Sequence, residues 1–285
     1  MMKARIIRII SNRFTVLTEN GERKVAVLRK KAGRAMVPYV GDDVLVSENG
    51  SDVTIEKIEE RKNCLNRPSI ANVDQALIVM SVKEPDFSYT LVDRLIFLIS
   101  YENITPVILL TKTDLADEEE TGKIRREYEE SGYRVLTNRA KEEEMREVLS
   151  GKVTVLCGQS GVGKSTYLNG LDPNFDLPTQ PISYALGRGK HTTRHTELYE
   201  VLGGWIADTP GFSSLDFAPV VSKKLAKCVP DFQIGESCRF EDCRHIKEPG
   251  CKVREKVESG LLSKIRYEDY LEVIPLCDQI KEWER

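Results

Sequence analysis

The chain has 285 residues, 40% hydrophobic and 31% charged, with a formal net charge of −3. That length predicts two or three domains, and no apolar run approaches the roughly 20 residues of a membrane-spanning helix. The amino terminus MMKARIIRII lacks the apolar core and small-residue cleavage site of a secretory signal, so a cytoplasmic protein with no membrane partner is expected.

Residues 1–67 carry 14 Lys+Arg against 9 Asp+Glu, and the remainder carries 28 against 36. A basic segment on an acidic body suits a polyanionic partner, or is simply a solvated surface. Strand-like runs recur at ARIIRIIS, RFTVLTE, KVAVLR, DDVLVSE and SDVTIEKIEE, with Asn20-Gly21 and Asn49-Gly50 as hairpin punctuation. Five short strands in this space predict a small barrel, with an OB-fold as the leading candidate. Such barrels bind nucleic acid through a strand face and loops. Arg29, Lys30, Lys31 and Arg34 gather before Val37-Pro38-Tyr39, while Phe14 and Tyr39 are the only aromatics. Phosphate contact is therefore expected more than base stacking. Arg61 to Ser69 reads as a linker, extended before Pro68.

Residues 68–216 alternate apolar strands (76–80, 105–110, 133–137, 153–157) with helices (91–100, 118–131, 141–150). That rhythm predicts a parallel sheet covered on both faces. The strand at 105–110 ends in Thr111, Lys112, Thr113 and Asp114. A carboxylate at Asp114 accepts from guanine N1–H and its 2-amino group, and adenine offers neither donor. Thr111 stands where such a motif usually has Asn, which weakens one supporting bond.

The strand at 153–157 runs into Gly158, Gln159, Ser160, Gly161, Val162, Gly163, Lys164, Ser165 and Thr166. This G-x-x-x-x-G-K-[ST] loop lies between a strand and a helix. Its glycines let backbone N–H groups face phosphate oxygens, Lys164 reaches the β/γ-phosphates, and the Ser165 hydroxyl ligates Mg²⁺. The field of the helix N-terminus favours the anion. Downstream, Asp208 ends a strand in Asp-Thr-Pro-Gly, with Asp208 a Mg²⁺ group and the Gly211 N–H facing the γ-phosphate. Between them lies Gly187 to His195, where Thr192 or Thr193 would supply a hydroxyl to Mg²⁺. Phe212 occupies the position where a glutamine orients water in Ras-like GTPases, which leaves His191 as the candidate for that task. The guanine motif precedes the phosphate loop, the reverse of the ordinary order, so the domain is read as circularly permuted.

Residues 217–285 hold Cys238, Cys243, His245 and Cys251, spaced C-x4-C-x-H-x5-C. Three thiolates and an imidazole satisfy a closed, structural Zn²⁺ site, one per chain. Helices are expected at 255–259 and 263–282, the second packing through Leu271, Ile274, Leu276 and Ile280, with Pro275 able to bend it.

The chain resembles the YjeQ/RsgA family of circularly permuted, ribosome-associated GTPases over nearly its full length. The resemblance rests on the basic barrel, TKTD, GQSGVGKST, GRGKHTT, DTPGF and CRFEDCRHIKEPGC. It implies GTP hydrolysis to GDP and phosphate, coupled to late maturation of the 30S subunit and stimulated by it, with 16S rRNA as a contact. It also implies zinc on the four ligands above, and a role in hydrolysis for His191. The resulting expectation is multidomain: an OB-fold barrel at 1–67, a circularly permuted P-loop α/β GTPase domain at 68–216 and a helical zinc-binding domain at 217–285. A monomer with Mg²⁺ at the nucleotide is expected. The rival readings are an RNA-binding switch in which hydrolysis is incidental, and an ATPase.

Overall fold

The computed structural model describes residues 1–29, 37–50, 52–66, 69–171, 197–208 and 215–280. Five strands, β1 (Met2–Ile10), β2 (Arg13–Thr18), β3 (Arg23–Leu28), β4 (Asp43–Asn49) and β5 (Asp52–Ile58), close a barrel in the order β1-β2-β3-β5-β4. β3 and β5 run parallel, with Val27 opposite Thr54, and the other pairs are antiparallel. This is the expected OB-like barrel. Its interior follows from period-two patterning: Ala4, Ile6, Phe14, Val16, Ala26, Val44, Val46, Val53 and Ile55 all point inward. A register shift between Ile6 and Arg8 lets the consecutive Ile6 and Ile7 both be buried. Phe14 is core, and the Arg61 guanidinium lies 4.2 Å over the Tyr39 ring. Arg29 pairs with Glu56, while Lys30, Lys31 and Arg34 lie outside the described residues.

The segment read as a linker is in part a ribbon. β6 (Cys64–Asn66) and β7 (Ser69–Ala71) pair antiparallel, with Leu65 and Ile70 buried. Arg61 grips the fully buried Asp42 with both Nε and Nη2, at 2.6 and 2.8 Å. This two-pronged bond ties the end of the barrel to the ribbon.

The α/β strands are β8 (Gln75–Ser81), β9 (Thr105–Thr111), β10 (Arg134–Thr137), β11 (Val153–Cys157), β12 (Leu198–Val201) and β13 (Gly204–Asp208). Their order in the sheet is β10-β9-β8-β11-β13-β12. β10 runs parallel to β9 and β11 parallel to β13, while β12 is antiparallel to β13. The helices are α1 (Tyr89–Tyr101), α2 (Glu118–Glu129), α3 (Glu142–Leu149) and α4 (Lys164–Leu171). Ser88 and Asp117 cap α1 and α2 by accepting from Leu91 N and Glu120 N.

In the tail come α5 (Ser222–Cys228), α6 (Lys252–Glu258) and α7 (Lys264–Val273). The last helix ends earlier than its expected limit of 282, because Pro275 sits in a 3-10 turn at Ile274–Leu276. Its packing face is also different: Arg266, Asp269, Tyr270 and Val273 are buried, and Leu276 is exposed.

By compactness the chain forms two units. One joins Met1–Gln75, Lys141–Leu156 and Leu168–Phe212, and the other joins Ala76–Ala140, Cys157–Tyr167 and Ser213–Arg285. These units cut across the three expected segments.

Candidate active site and metal centre

The phosphate loop follows β11, every residue of which is buried. Gly158 has φ +130°, and a Cβ there would lie 2.0 Å from the Val79 carbonyl oxygen. Only glycine fits such an approach. Gly161 and Gly163 are left-handed at φ +83° and +88°. Val162 between them is fully buried. Lys164 opens α4, and its Nζ donates to the carbonyls of Gly158 and Gln159 at 2.7 Å each. The ammonium is thus held over the loop.

The turn after β9, the expected guanine site, is built by local strain. Lys112 is left-handed at φ +53°, and Thr113–Leu115 form one 3-10 turn, which leaves Asp114 exposed. Lys112 Nζ donates to the Glu84 carbonyl. The buried Thr111 hydroxyl donates to the Val162 carbonyl at 2.5 Å, with the Met80 carbonyl at 3.2 Å. One hydroxyl proton serves one acceptor, and the shorter bond takes it. Thr111 therefore ties the turn after β9 to the loop after β11, where the departure from Asn suggested a weakened support.

Asn138, which the sequence did not single out, joins this cluster. It follows β10, its N–H donates to the Leu110 carbonyl at 2.8 Å, and its Oδ1 accepts from the Thr113 hydroxyl at 2.7 Å. Its available signal was position: a polar residue just past a buried parallel strand, at the end of the sheet where ligands bind. Asp208 ends β13, with Leu156 of β11 as its parallel partner. His191, Thr192, Thr193 and Gly211 lie outside the described residues.

Cys238, Cys243, His245 and Cys251 bring their ligand atoms within 4.8 Å of one another. Cys238 Sγ and Cys251 Sγ are 4.0 Å apart and lie 3.6 and 3.4 Å from His245 Nδ1. Tetrahedral bonds of zinc length would set S···S near ~3.8 Å and S···N near ~3.6 Å. The donor set and its spacing fit a metal ion. The other ring nitrogen, Nε2, lies 3.2 Å from the Ala226 carbonyl, a partner that keeps Nδ1 free for a metal. The Lys252 N–H donates to Cys238 Sγ at 3.3 Å. Burial pushes the Cys243 thiol up to about 12, so a thiolate there calls for a cation. Glu248 braces the loop by accepting from the N–H groups of Arg244, Ile246 and Lys247. Burial opposes its charge, but these amides prevail and hold it at about 2.

A buried ionic cluster escaped the sequence reading. Arg266 on α7 is fully buried; its Nε meets Asp93 Oδ1 of α1 at 3.1 Å, and its Nη1 meets Asp231 Oδ2 at 2.6 Å. The Tyr133 hydroxyl donates to Asp231 Oδ1 at 2.7 Å. The rings of Tyr128 and Tyr133 each lie 4.9 Å from the guanidinium carbon.

Residues 58–218 match the RsgA GTPase family. The small ribosomal subunit biogenesis GTPase RsgA of Shouchella clausii (strain KSM-K16) is 43% identical over 286 residues, spanning 96% of this chain and 97% of its own length. Among solved structures, YloQ, described as a circularly permuted GTPase, superposes with a TM-score of 0.79 at 36% identity, over 96% of this chain and 94% of that one. YjeQ from Thermotoga maritima gives 0.80 at 33% identity, over 96% and 97%.

Proposed function

The chain belongs to the RsgA GTPase family and is a GTP hydrolase, and from that premise we propose that its turnover serves late maturation of the small ribosomal subunit. The observation that carries the nucleotide reading is the Thr111–Val162 bond. It joins a base-reading turn to a phosphate cradle, and the two signatures are 51 residues apart in the chain.

The proposed chemistry is phosphoryl transfer to water. The amides of Gly158 to Ser165 and the Lys164 ammonium bind the phosphates. Asp114, with Lys112 over the ring, selects guanine. Ser165, Asp208 and the hydroxyl of Thr192 or Thr193 would hold Mg²⁺, which neutralises charge on the phosphates when bound. The Gly211 N–H would face the γ-phosphate, and His191 would orient the water, since a phenylalanine at 212 offers no polar group for that task. The Cys3His cluster takes zinc in a closed structural site, because four protein ligands leave no open position. The contact with 16S rRNA is made by the barrel and the metal module. The small ribosomal subunit in the name of the Shouchella relative and the basic balance of residues 1–67 support an RNA-rich partner of this kind.

The test is GTP turnover with and without 30S subunits. Stimulation is expected, and its loss in His191→Ala. A rate indifferent to the subunit would instead favour an RNA-binding switch with incidental hydrolysis. Asp114→Asn decides the base: an asparagine amide donates to the 2-carbonyl of xanthine, so preference should pass from GTP to XTP. An adenine site would show no such change.

A further inference from the structure

We propose that Tyr133 is a positioning residue that couples the Cys3His metal centre to the guanine turn. This inference rests on the reading of Lys112 to Asp114 as the guanine site.

β10 begins one residue after Tyr133 and lies at the edge of its sheet. Among the described residues it pairs along one side only, with Arg134 to Thr137 opposite Val107 to Leu110 of β9. An edge strand this short has few ladder bonds to fix it. At its far end the Asn138 N–H donates to the Leu110 carbonyl and its Oδ1 accepts from the Thr113 hydroxyl, next to Asp114. At its near end the Tyr133 hydroxyl is pinned by Asp231, and the Tyr133 N–H by the Tyr128 carbonyl. The strand carries the position of that pin ~16 Å to the guanine turn.

Asp231 is placed by the metal module. It sits in the 3-10 turn Pro230–Gln233, and its neighbour Phe232 packs edge-on against the His245 ring at 5.8 Å and 88°. Gln233 Nε2 donates to the Ala226 carbonyl at 2.9 Å, the same oxygen that His245 Nε2 faces. The Tyr267 hydroxyl donates to the His245 carbonyl at 2.7 Å, and Tyr267 follows Arg266, which holds the other oxygen of Asp231. A His245 drawn onto a metal therefore fixes Phe232, Gln233 and Tyr267 together, and through them both oxygens of Asp231. Loss of the metal frees His245, and Asp231 loses its frame. The Tyr133 hydroxyl is the group through which that change reaches β10.

Linkage makes the effect reciprocal in affinity: guanine nucleotide must tighten metal binding by as much as metal tightens nucleotide, and a tighter site is expected to release its metal more slowly. The test uses the full chain loaded with zinc. Fluorescent GDP binding is measured before and after chelation, and zinc release to a metallochromic dye is timed with and without GDP, in wild type and Tyr133→Phe. In wild type, chelation is expected to weaken GDP binding about three- to tenfold, the span of one buried hydrogen bond. GDP should slow zinc release in wild type. In Tyr133→Phe, GDP binding should start weaker, and neither ligand should affect the other. The release measurement is made on folded, loaded protein, so it decides the matter even if the stripped chain unfolds. Equal mutual effects in both proteins, or none in wild type, would overturn the coupling. A wild-type chain that binds ATP as well as GDP would instead refute the guanine reading beneath it.

Discussion

Replacing Thr111 with valine keeps the shape of the side chain and removes one hydroxyl. Thr111 is 3% exposed, and its bond to the Val162 carbonyl is 2.5 Å long. The bond has a net value of about 1 kcal/mol, but removing only its donor costs about 1–3 kcal/mol, because the buried carbonyl loses this partner. Because the bond is present before nucleotide binds, this cost divides between two observables. The part that loosens the fold lowers stability. The part spent on recapturing a loop that has drifted from the guanine turn weakens GDP, by up to roughly a hundredfold if all of it appears there. Urea unfolding and GDP titration on the same preparation measure the two parts, and their sum should be about 1–3 kcal/mol. Thr111→Asn supplies a longer side chain with its own donor and should recover most of the loss. If Thr111→Val changed stability and affinity together by less than about 0.5 kcal/mol, below the value of one net hydrogen bond, the bond would not be the tie described.

Gly158→Ala would place a methyl 2.0 Å from the Val79 oxygen, so the loop must shift. A destabilisation of about 2–4 kcal/mol with weaker nucleotide binding is expected, and wild-type melting would refute the close approach. Chelating the metal should lower the unfolding temperature, with a loss on the order of 5 kcal/mol or more for a small metal-held segment; an unchanged melting curve after proven zinc removal would contradict a structural role. Burial pushes Asp93 up to about 7 from 3.8, with Arg266 opposing and Asp269 adding to the rise. The folded state then holds this proton more tightly than the unfolded chain, so the contribution is full below about pH 4 and is lost as pH rises to about 7. Asp93→Asn should flatten that decline in urea melts taken across this window. Glu248, held at about 2, acts below its ordinary value of 4.5, at the acid edge of this window.

What could be read from the chain was chemistry packed into contiguous spacing. The phosphate loop, the Lys112–Asp114 turn and the four metal ligands each lie within a short stretch, because a small ligand touches neighbouring residues of one loop. The barrel was readable for a related reason: alternating side chains on short strands leave a period in the sequence. The ionic cluster left no such trace. Arg266 meets partners 35 and 173 residues away, and an arginine on a helix reads as solvated when its carboxylates are that distant. The helical period was nonetheless present: positions 266, 269, 270 and 273 form one face. Charge at two of them hid that face and drew attention to Leu271, Ile274, Leu276 and Ile280. β12 was missed because LYEV has only its end residues buried, too few to mark a strand.

The same distinction separates what recognises ligand from what holds it in place. Asp114 and Lys164, proposed to read base and phosphate, occupy exposed and half-buried positions, and their residue types follow from ligand chemistry. Thr111 and Tyr133 touch no ligand in this account; they are held to carbonyl and carboxylate oxygens 51 and 98 residues away. Permutation increases the need for such ties. When the guanine motif precedes the phosphate loop, the chain between them, from Leu115 to Cys157, must pass through two helices and the edge strand before it returns. Backbone continuity alone cannot set the spacing of base and phosphate subsites across that excursion. Buried side-chain bonds set it instead. A threonine stands here where asparagine is usual, and its hydroxyl reaches the Val162 carbonyl.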